Sequence, residues 1–276
     1  MTIPMQWALR RRMMMAALGS GIDVAALSIT YTGVYYTDYT DYGIVTMSDG
    51  ARYRLLAFRS SGTLSIEQPV NCEVCVVGGG ANGTRPDGSS GGGAGGAGAY
   101  LKNQSVSAYG GGSVVVGARQ GVSSIAGVSV NAVSGKNGGT GAGGKTGGTG
   151  DGISKYPFGD TGYSLWAGKP HCAGGGQGIE DDYYGYGFSG GNGGTNGGNG
   201  YPRGSSQASD PPGGAGGSYG GGTGGTASNG EDATYYGSGG GGGGRYKKPD
   251  DSTTFSYGGS GYQGIVYIRI PEEQAA

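Results

Sequence analysis

Glycine is the feature that most constrains this chain, because 71 of its 276 residues are glycine, against an ordinary share of about 7%. The glycine tracts open at Val76-Val77-Gly78-Gly79-Gly80 and are densest between Gly138 and Gly244. Glycine loses the most backbone entropy on folding and buries no side chain, so this composition alone favours disorder. Strand-like apolar runs bracket the tracts, however, which favours an ordered framework.

Two glycine tracts repeat with a period of three residues, Gly190-Gly191-Asn192-Gly193-Gly194 and Gly213-Gly214-Ala215-Gly216-Gly217. Collagen has the same period, but it needs glycine strictly at every third position and abundant proline, and this chain has 10 prolines. A polyproline-II-type helix also repeats every three residues and has no internal hydrogen bonds. Such helices must therefore bond to one another, each bond contributing about 1 kcal/mol. The tracts predict a bundle of polyglycine-II helices.

The remaining sequence predicts an antiparallel β scaffold. Ile29–Met47 is rich in Tyr, Thr and Val, and Ser48-Asp49-Gly50 is a turn signal that predicts a hairpin with Ala51–Phe58. Further strands are predicted at Thr63–Ile66, Cys72–Val77, Ala99–Val106, Ser113–Val116 and, most strongly, Gly264–Ile270. We expect this last strand to return and pair with the early ones.

The predicted fold class is therefore mainly β: a small antiparallel scaffold with an inserted polyglycine-II (PPII-type) bundle and a short N-terminal helix. The predicted divisions are a docking helix or arm at 1–23, the scaffold at 24–134, the glycine-rich domain with its inserts at 135–262, and the returning strand at 263–276. Met5–Leu18 has helix-favouring composition, and Arg10–Arg12 before apolar residues is also compatible with a secretory or twin-arginine signal. An ordered helix there would serve as a docking element for a partner.

Charge and cysteine content narrow the function. The net charge of −1 gives no indication of nucleic acid or an anionic membrane as partner. Three cysteines are too few for a disulfide framework. The chain has no apolar stretch near the ~20 residues that cross a bilayer. We therefore expect neither nucleic-acid binding nor membrane insertion.

Four ordered blocks resemble the glycine-rich domain of phage tail and fibre proteins. They are FRSSGTLSIEQPVNCEVCVVGGGANG, GGGAGGAGAYL, VSAYGGGSVVVGA and GIVYIRI, and they cover about Phe58–Ile270. The chain is also similar in logic to the glycine-rich tip adhesins of T-even-type phage long tail fibres. In those adhesins polyglycine helices pack in a sandwich, and variable inserts at the turns bind the host surface. The resemblance implies a protein of the virion tail or fibre.

At the N-terminus the resemblance changes. This end does not match the fibre-attachment domain of those adhesins, and WALRRRMMMA instead resembles the opening of tail-associated proteins in phages of gut bacteria. We expect contact with other tail or fibre proteins through this region. Homo-oligomer formation is left open.

Aromatic residues concentrate in the inserts between the glycine tracts, where they would bind a host-surface glycan or an outer surface protein. Flat aromatic faces stack on sugar rings and carry much of an interface's binding energy. The candidate receptor-binding residues are Tyr163, Trp166, Asp181, Asp182, Tyr183, Tyr184, Tyr186, Phe188, Tyr201, Tyr235, Tyr236, Tyr246 and Tyr257. The alternative for any one of the aromatic candidates is that its ring caps the end of the glycine bundle.

Metal, cofactor and catalytic sites are not expected. Cys72, Cys75, His171 and Cys172 have the ligand types of a structural zinc site, but a separation of three in a strand puts Cys72 and Cys75 on opposite faces. Val77-Gly78-Gly79-Gly80 is followed by a poor helix opening, which argues against a dinucleotide loop. With a single histidine and no carboxylate pair on a recognisable scaffold, we predict neither an enzyme nor a cofactor.

Three functions remain from the sequence. The favoured one is a non-enzymatic phage tail protein that acts as a receptor-binding adhesin. The second is a purely architectural virion protein, such as a capsid decoration or tail spacer. The least favoured is a depolymerase, which release of oligosaccharides from host polysaccharide would support.

Overall fold

The computed structural model describes residues 22–37, 43–83, 85, 101–125, 128–132, 156–166, 169–172, 175, 180–181, 229–242, 245–247, 253–255 and 257–273. The predicted helix at Met5–Leu18 and the predicted polyglycine helices at 190–200 and 213–225 lie outside these residues. In the described part, no helix is long and apolar enough to span a membrane.

The described residues are mainly β, which confirms the predicted fold class at this level. The strands are β1 Ile29–Tyr31, β2 Tyr35–Tyr36, β3 Ile44–Thr46, β4 Arg52–Phe58, β5 Gly62–Val77, β6 Leu101–Val115, β7 Ser123–Ile125, β8 Val128–Ala132, β9 Glu180–Asp181, β10 Arg245–Lys247, β11 Thr253–Phe255 and β12 Ile265–Pro271. Nine of them form an antiparallel sheet in the order β2-β4-β12-β5-β6-β7-β8, with β1 on β5 and β3 on β4. The other three form a small sheet in the order β11-β10-β9.

The hairpin predicted around Ser48-Asp49-Gly50 is confirmed. β3 pairs with β4 so that Ile44 lies opposite Arg54. Gly50 has a φ of +82°, a left-handed conformation that L side chains rarely adopt and that glycine supplies without strain. The turn closes with a 3.0 Å hydrogen bond from the Gly50 N–H to the Met47 carbonyl.

The C-terminal strand β12 lies at the centre of the large sheet, between β4 and β5, as its return to the scaffold predicts. Val266 and Ile268 face one hydrophobic core, and Ile265 and Tyr267 face the other. Successive residues of a strand point to opposite faces, so a strand buried on both sides has a continuous apolar sequence. This double burial explains why the segment carries the strongest strand signal in the chain.

β5 and β6 form a long ribbon that bends back on itself. The pairing register shifts between Ser65 and Cys72 of β5. On β6, Ala108, Gly111 and Gly112 have positive φ angles of 50°, 109° and 137°. Irregularities of this kind bend a strand pair and increase its twist.

The two ends of this ribbon lie close together in space. The Ser123 hydroxyl, just beyond β6, donates a 2.7 Å hydrogen bond to the Val77 carbonyl at the far end of β5. Thr63–Ile66 and Cys72–Val77, predicted as two strands, are therefore the two halves of one bent strand. The first core lies inside the bend. It includes Val24, Leu27, Leu56, Phe58, Leu64, Ile66, Val70, Cys72, Val74, Val76, Tyr109, Val114, Ile125, Val266, Ile268 and Ile270.

A second core covers the opposite face of the sheet. Its buried members are Val45, Met47, Leu55, Ala57, Cys75, Val77, Leu101, Tyr163, Trp166, Cys172, Ile265 and Tyr267. Residues 156–166 and 169–172 thus supply a cover for the central strands. They carry a single turn of 3-10 helix at Pro157–Gly159.

Beyond the sheet, four segments without regular secondary structure pack against one another, which we call the first (78–83), second (229–233), third (238–242) and fourth (257–264) glycine segments. The first directly follows β5 and the fourth directly precedes β12. Six of the backbone hydrogen bonds between them form three pairs, and within each pair the two donors are three residues apart and so are the two acceptors. With the N–H donor named first, the pairs are Gly80 to Tyr262 and Gly83 to Gly259, Gly230 to Tyr257 and Ala233 to Ser260, and Gly259 to Gly241 and Tyr262 to Ser238. The third and fourth segments each bond to all three others.

Glycine is needed in these segments because the backbones touch. A Cβ on Gly80 would overlap the carbonyl oxygen of Ser238, and one on Gly259 would overlap that of Glu231. Neither glycine has a positive φ, so backbone conformation is not the reason for glycine there. The segments pack backbone against backbone.

Candidate functional site

Two predicted receptor-binding residues, Tyr163 and Trp166, lie inside the second core. Trp166 is fully buried, with its ring centroid 4.7 Å from that of Tyr163 and 5.5 Å from that of Tyr267. Its indole N–H donates a 2.6 Å hydrogen bond to the Asp160 carbonyl. Trp166 has no accessible surface and Tyr163 exposes 7% of its surface, so neither ring is presented to a receptor. The binding prediction for these two residues is corrected, because the central strands need their rings as a cover.

Asp160 fixes the loop that carries these two rings. Its carboxylate accepts hydrogen bonds from the hydroxyl and N–H of Ser48 at 2.5 and 3.0 Å, and from the N–H groups of Gly162 and Tyr163 at 2.9 and 3.0 Å. Burial alone would raise the pKa of Asp160, but these four hydrogen bonds outweigh it and lower the pKa below its ordinary value of 3.8. The loop is thereby tied to the β3–β4 hairpin.

Tyr235 and Tyr236 are half-buried beside His171, at the junction of the second core and the glycine segments. The fully buried His171 has its Nε2 2.7 Å from the hydroxyl of Tyr267, and burial lowers the pKa of His171 to about 3. Burial also raises the pKa of Tyr235 to about 12. These rings form a neutral aromatic cluster with only its outer edge exposed.

Two candidate residues, Asp181 and Tyr246, are partners in the small three-stranded sheet, where Tyr246 lies opposite Asp181 on one side and Thr254 on the other. Another candidate, Tyr257, is exposed over 63% of its surface. The Arg85 guanidinium carbon lies 5.1 Å from the centroid of its ring. Six further candidates lie outside the described residues: Asp182, Tyr183, Tyr184, Tyr186, Phe188 and Tyr201.

An open cleft of ≈ 370 Å³ lies where the loop between β6 and β7 meets the second and fourth glycine segments. It is lined by Ala118, Arg119, Asp232, Ala233, Ser260, Gly261, Tyr262 and Gln263. Ser260 is hydrogen-bonded to both charged residues of the cleft. The Arg119 guanidinium donates to the Ser260 hydroxyl at 2.7 Å, and the Ser260 N–H donates to Asp232 Oδ1 at 2.6 Å. The cleft therefore has one positive and one negative side chain in fixed relation.

The cleft continues the aromatic cluster to the surface. The ring of Tyr262, 36% exposed, meets that of Tyr236 edge-on with centroids 5.5 Å apart. Gln263 donates to the Arg59 carbonyl at 3.2 Å, and the Arg59 guanidinium lies over the exposed ring of Tyr36, 5.6 Å from its centroid. Exposed rings and planar polar side chains thus share one surface.

Sequence reasoning missed Arg119, Asp232, Tyr262 and Gln263. A signal was present for two of them, because Tyr262-Gln263 is an aromatic and amide pair between glycines at the start of the strongest strand, and loops at strand ends often carry function. Arg119 and Asp232 have no comparable local signal.

The cysteines divide between the two cores. Cys72 faces the first core, whereas Cys75 and Cys172 face the second, which agrees with the opposite-face argument from strand spacing. Burial raises the pKa of Cys72 to about 12 and also raises that of Cys75. Among the described residues, no group of three His, Cys, Asp or Glu side chains is arranged to hold a metal ion.

Comparison of the chain with protein-family models, with curated proteins and with solved structures finds no match.

Proposed function

We propose that the four glycine segments belong to a polyglycine-II-type bundle. The three-residue spacing of their hydrogen bonds supports this, since a β ladder repeats every two residues and a polyproline-II-type helix every three. Close approach of the backbones, as at Gly80 and Gly259, also supports it. Hydrogen exchange followed by NMR tests the proposal. The N–H groups of Gly80, Gly83 and Gly259 should exchange slowly in native protein, and rapid exchange would contradict a bonded bundle.

We further propose that the protein is a structural component of a phage tail or fibre and binds the host surface. The resemblance supports this, and the fold adds to it. The first resembling block ends in β5 and the first glycine segment, and the last block is β12 with its preceding glycine. Those parts, 181 or more residues apart in sequence, are neighbours in the sheet and pair Val77 with Ile265.

The observation that carries the binding function is the exposure of two tyrosines on the fourth glycine segment. Tyr257 and Tyr262 expose 63% and 36% of their surface, on a segment whose backbone is bonded to three neighbours. Exposed rings on a firmly held backbone suit recognition, because little conformational entropy is lost when a partner binds. The N-terminal region 1–23 would attach the protein to other tail proteins.

Cell binding tests this function. Fluorescently labelled full-length protein is incubated with bacteria that the phage infects and with resistant strains, and phage adsorption is measured in the presence of unlabelled protein. We expect saturable binding to sensitive cells only, together with reduced adsorption. Protein that neither binds these cells nor competes with the phage would overturn the proposal.

The alternative is a purely architectural virion protein, and the burial of Tyr163 and Trp166 favours it, because those aromatic residues serve packing. Alanine substitution at Tyr183, Tyr184 and Tyr186 separates the two functions. Reduced adsorption by intact particles supports binding, whereas failed assembly supports architecture. Immunogold labelling on assembled particles gives an independent answer, since an adhesin should lie at the tail tip and a decoration protein on the capsid.

A further inference from the structure

The cleft beside Ser260 has the composition of a sugar-binding site. Its volume of ≈ 370 Å³ is at the lower end of the range of about 300–1,000 Å³ for small-molecule sites. Its lining combines one exposed ring, Tyr262, with a carboxylate, a guanidinium and an amide. Pyranose sugars present an apolar C–H face and a rim of hydroxyls, which match a flat ring and planar hydrogen-bonding groups respectively.

The polar side chains of the cleft are already oriented. Ser260 uses its N–H to hold Asp232 Oδ1 and its hydroxyl to hold one nitrogen of Arg119. In the described part of the chain, hydrogen-bond partners other than Ser260 are absent for Asp232 and for the Arg119 guanidinium, and both residues line the cleft. An acceptor and a donor held side by side can bind adjacent hydroxyls of one sugar ring.

The cleft is also held by the backbone. The Ala233 N–H donates to the Ser260 carbonyl at 2.8 Å, and the Tyr262 N–H donates to the Ser238 carbonyl at 2.9 Å. The cleft is therefore lined from the glycine segments by Asp232–Ala233 and Ser260–Gln263, and from the loop between β6 and β7 by Ala118 and Arg119. A site whose side chains and backbone are fixed before binding loses less free energy on association.

We propose that this cleft binds a pyranose unit of a neutral glycan, with the sugar's C–H face on Tyr262 and adjacent hydroxyls on Asp232 and Arg119. Neutrality follows from the charges, because the single guanidinium of the lining is matched by the single carboxylate. A carboxylated or phosphorylated sugar would be repelled by Asp232, and its attraction to Arg119 would cancel that repulsion without giving a net attraction. The inference rests on the proposed host-surface binding and names the ligand class for it.

Saturation-transfer NMR on the full chain tests the proposal with a panel of neutral methyl glycosides of glucose, galactose, mannose and N-acetylglucosamine. The methyl glycoside of N-acetylneuraminic acid serves as the acidic comparator. We expect saturable binding of at least one neutral glycoside, with the strongest transfer to its ring C–H protons. Absence of binding by all four neutral glycosides, or preference for the acidic one, would overturn the proposal.

Variants identify the site. Tyr262→Ala should weaken binding at least tenfold, and Asp232→Asn should weaken it severalfold while keeping the acceptor for the Ser260 N–H. Val34→Ala is the control, since it truncates a side chain that is exposed, lies outside the cleft lining and has no assigned part in receptor binding. Asp232→Asn preserves the test if Tyr262→Ala fails to fold. Unchanged affinity in a folded cleft variant contradicts the assignment.

Cell binding by the same variants and by Tyr257→Ala separates this inference from the function on which it rests. If cells are bound equally by wild type and both cleft variants but not by Tyr257→Ala, host binding stands and the cleft proposal is wrong. If glycosides bind at the cleft but the protein binds no cells, the cleft proposal stands and the adhesin function fails.

Discussion

The central sheet and the glycine segments are continuous in the chain but are held together in opposite ways. At Val77 and Ile265 the paired strands bury side chains on both faces. Three residues further on, Gly80 and Tyr262 are still joined by a backbone hydrogen bond, but a Cβ on Gly80 would now overlap a neighbouring carbonyl. Removing side-chain atoms should therefore destabilise the sheet, whereas adding them should destabilise the segments.

The largest effect is expected from Trp166→Ala on the sheet side. Trp166 is fully buried against Tyr163 and Tyr267, so its truncation leaves a cavity and should lower the free energy of unfolding by about 4 kcal/mol. Urea denaturation followed by circular dichroism measures this loss. Tyr257→Ala is the control, because its ring is exposed and its loss should change stability by less than about 0.5 kcal/mol. Equal, small effects at both positions would mean that Trp166 does not support the core.

Gly80→Ala tests the opposite rule in the glycine segments. The added methyl group would overlap the Ser238 carbonyl, and the backbones would have to separate, so we expect a loss of about 3 kcal/mol. The φ of Gly80 is not positive, hence backbone strain cannot account for such a loss. Thermal melting compared with wild type gives the measurement. A melting temperature within one degree of wild type would show that the segments do not pack as tightly as their hydrogen bonds indicate.

The sheet was predictable from sequence, and the glycine segments were predictable in part. Apolar runs such as Val74–Val77 and Ile265–Ile270 report burial directly, since each residue of a strand faces one core or the other. The bend that joins the two predicted halves of β5 depends on positive φ angles at Gly111 and Gly112 of the partner strand. A pattern within β5 alone cannot reveal it.

The candidate site was the least predictable part. The cleft depends on Arg119 meeting Ser260, 141 residues later in the chain, and on Asp232 from a third segment. No local pattern brings these together, because the approach is produced by glycine backbones that carry no side-chain signal. Aromatic content singled out Tyr236, which packs against Tyr262 of the cleft, but it could not distinguish the exposed Tyr257 from the buried Trp166.

The junction of the two regions should give the protein an acid sensitivity of its own. The single histidine of the chain, His171, has an ordinary pKa of 6.5 that burial lowers to about 3 in the folded protein. As the pH falls, His171 therefore binds a proton at a higher pH in the unfolded chain than in the folded protein. The stability that is full above pH 6.5 is lost as the pH falls from 6.5 towards 3. The loss is up to about 1.4 kcal/mol per pH unit, or about 2 kcal/mol at pH 5.

Denaturant melts at pH 7.5 and pH 5 measure this loss, with His171→Gln as the comparison, since glutamine can still hydrogen-bond to the Tyr267 hydroxyl but does not titrate. We expect the pH dependence of the variant to be about 2 kcal/mol smaller over this interval. The Asp160 carboxylate does not interfere, because its pKa lies below 3.8. The same pH dependence in both proteins would show that His171 is protonated in the folded state.

The smallest effect is expected from Gly110→Ala, at a glycine of the sheet strand β6 where a side chain meets open space. A Cβ there would have no atom within 4 Å, and its φ is not positive. Alanine should therefore fit without strain and reduce the entropy of the unfolded chain, which leaves stability unchanged or raises it by about 0.5 kcal/mol. The adjacent Gly111→Ala should instead destabilise, because its φ is +109° and its Cβ would overlap the Leu64 carbonyl. Thermal melts that ranked the two variants alike would mean that glycine content, rather than close approach of backbones, decides where glycine is required in this chain.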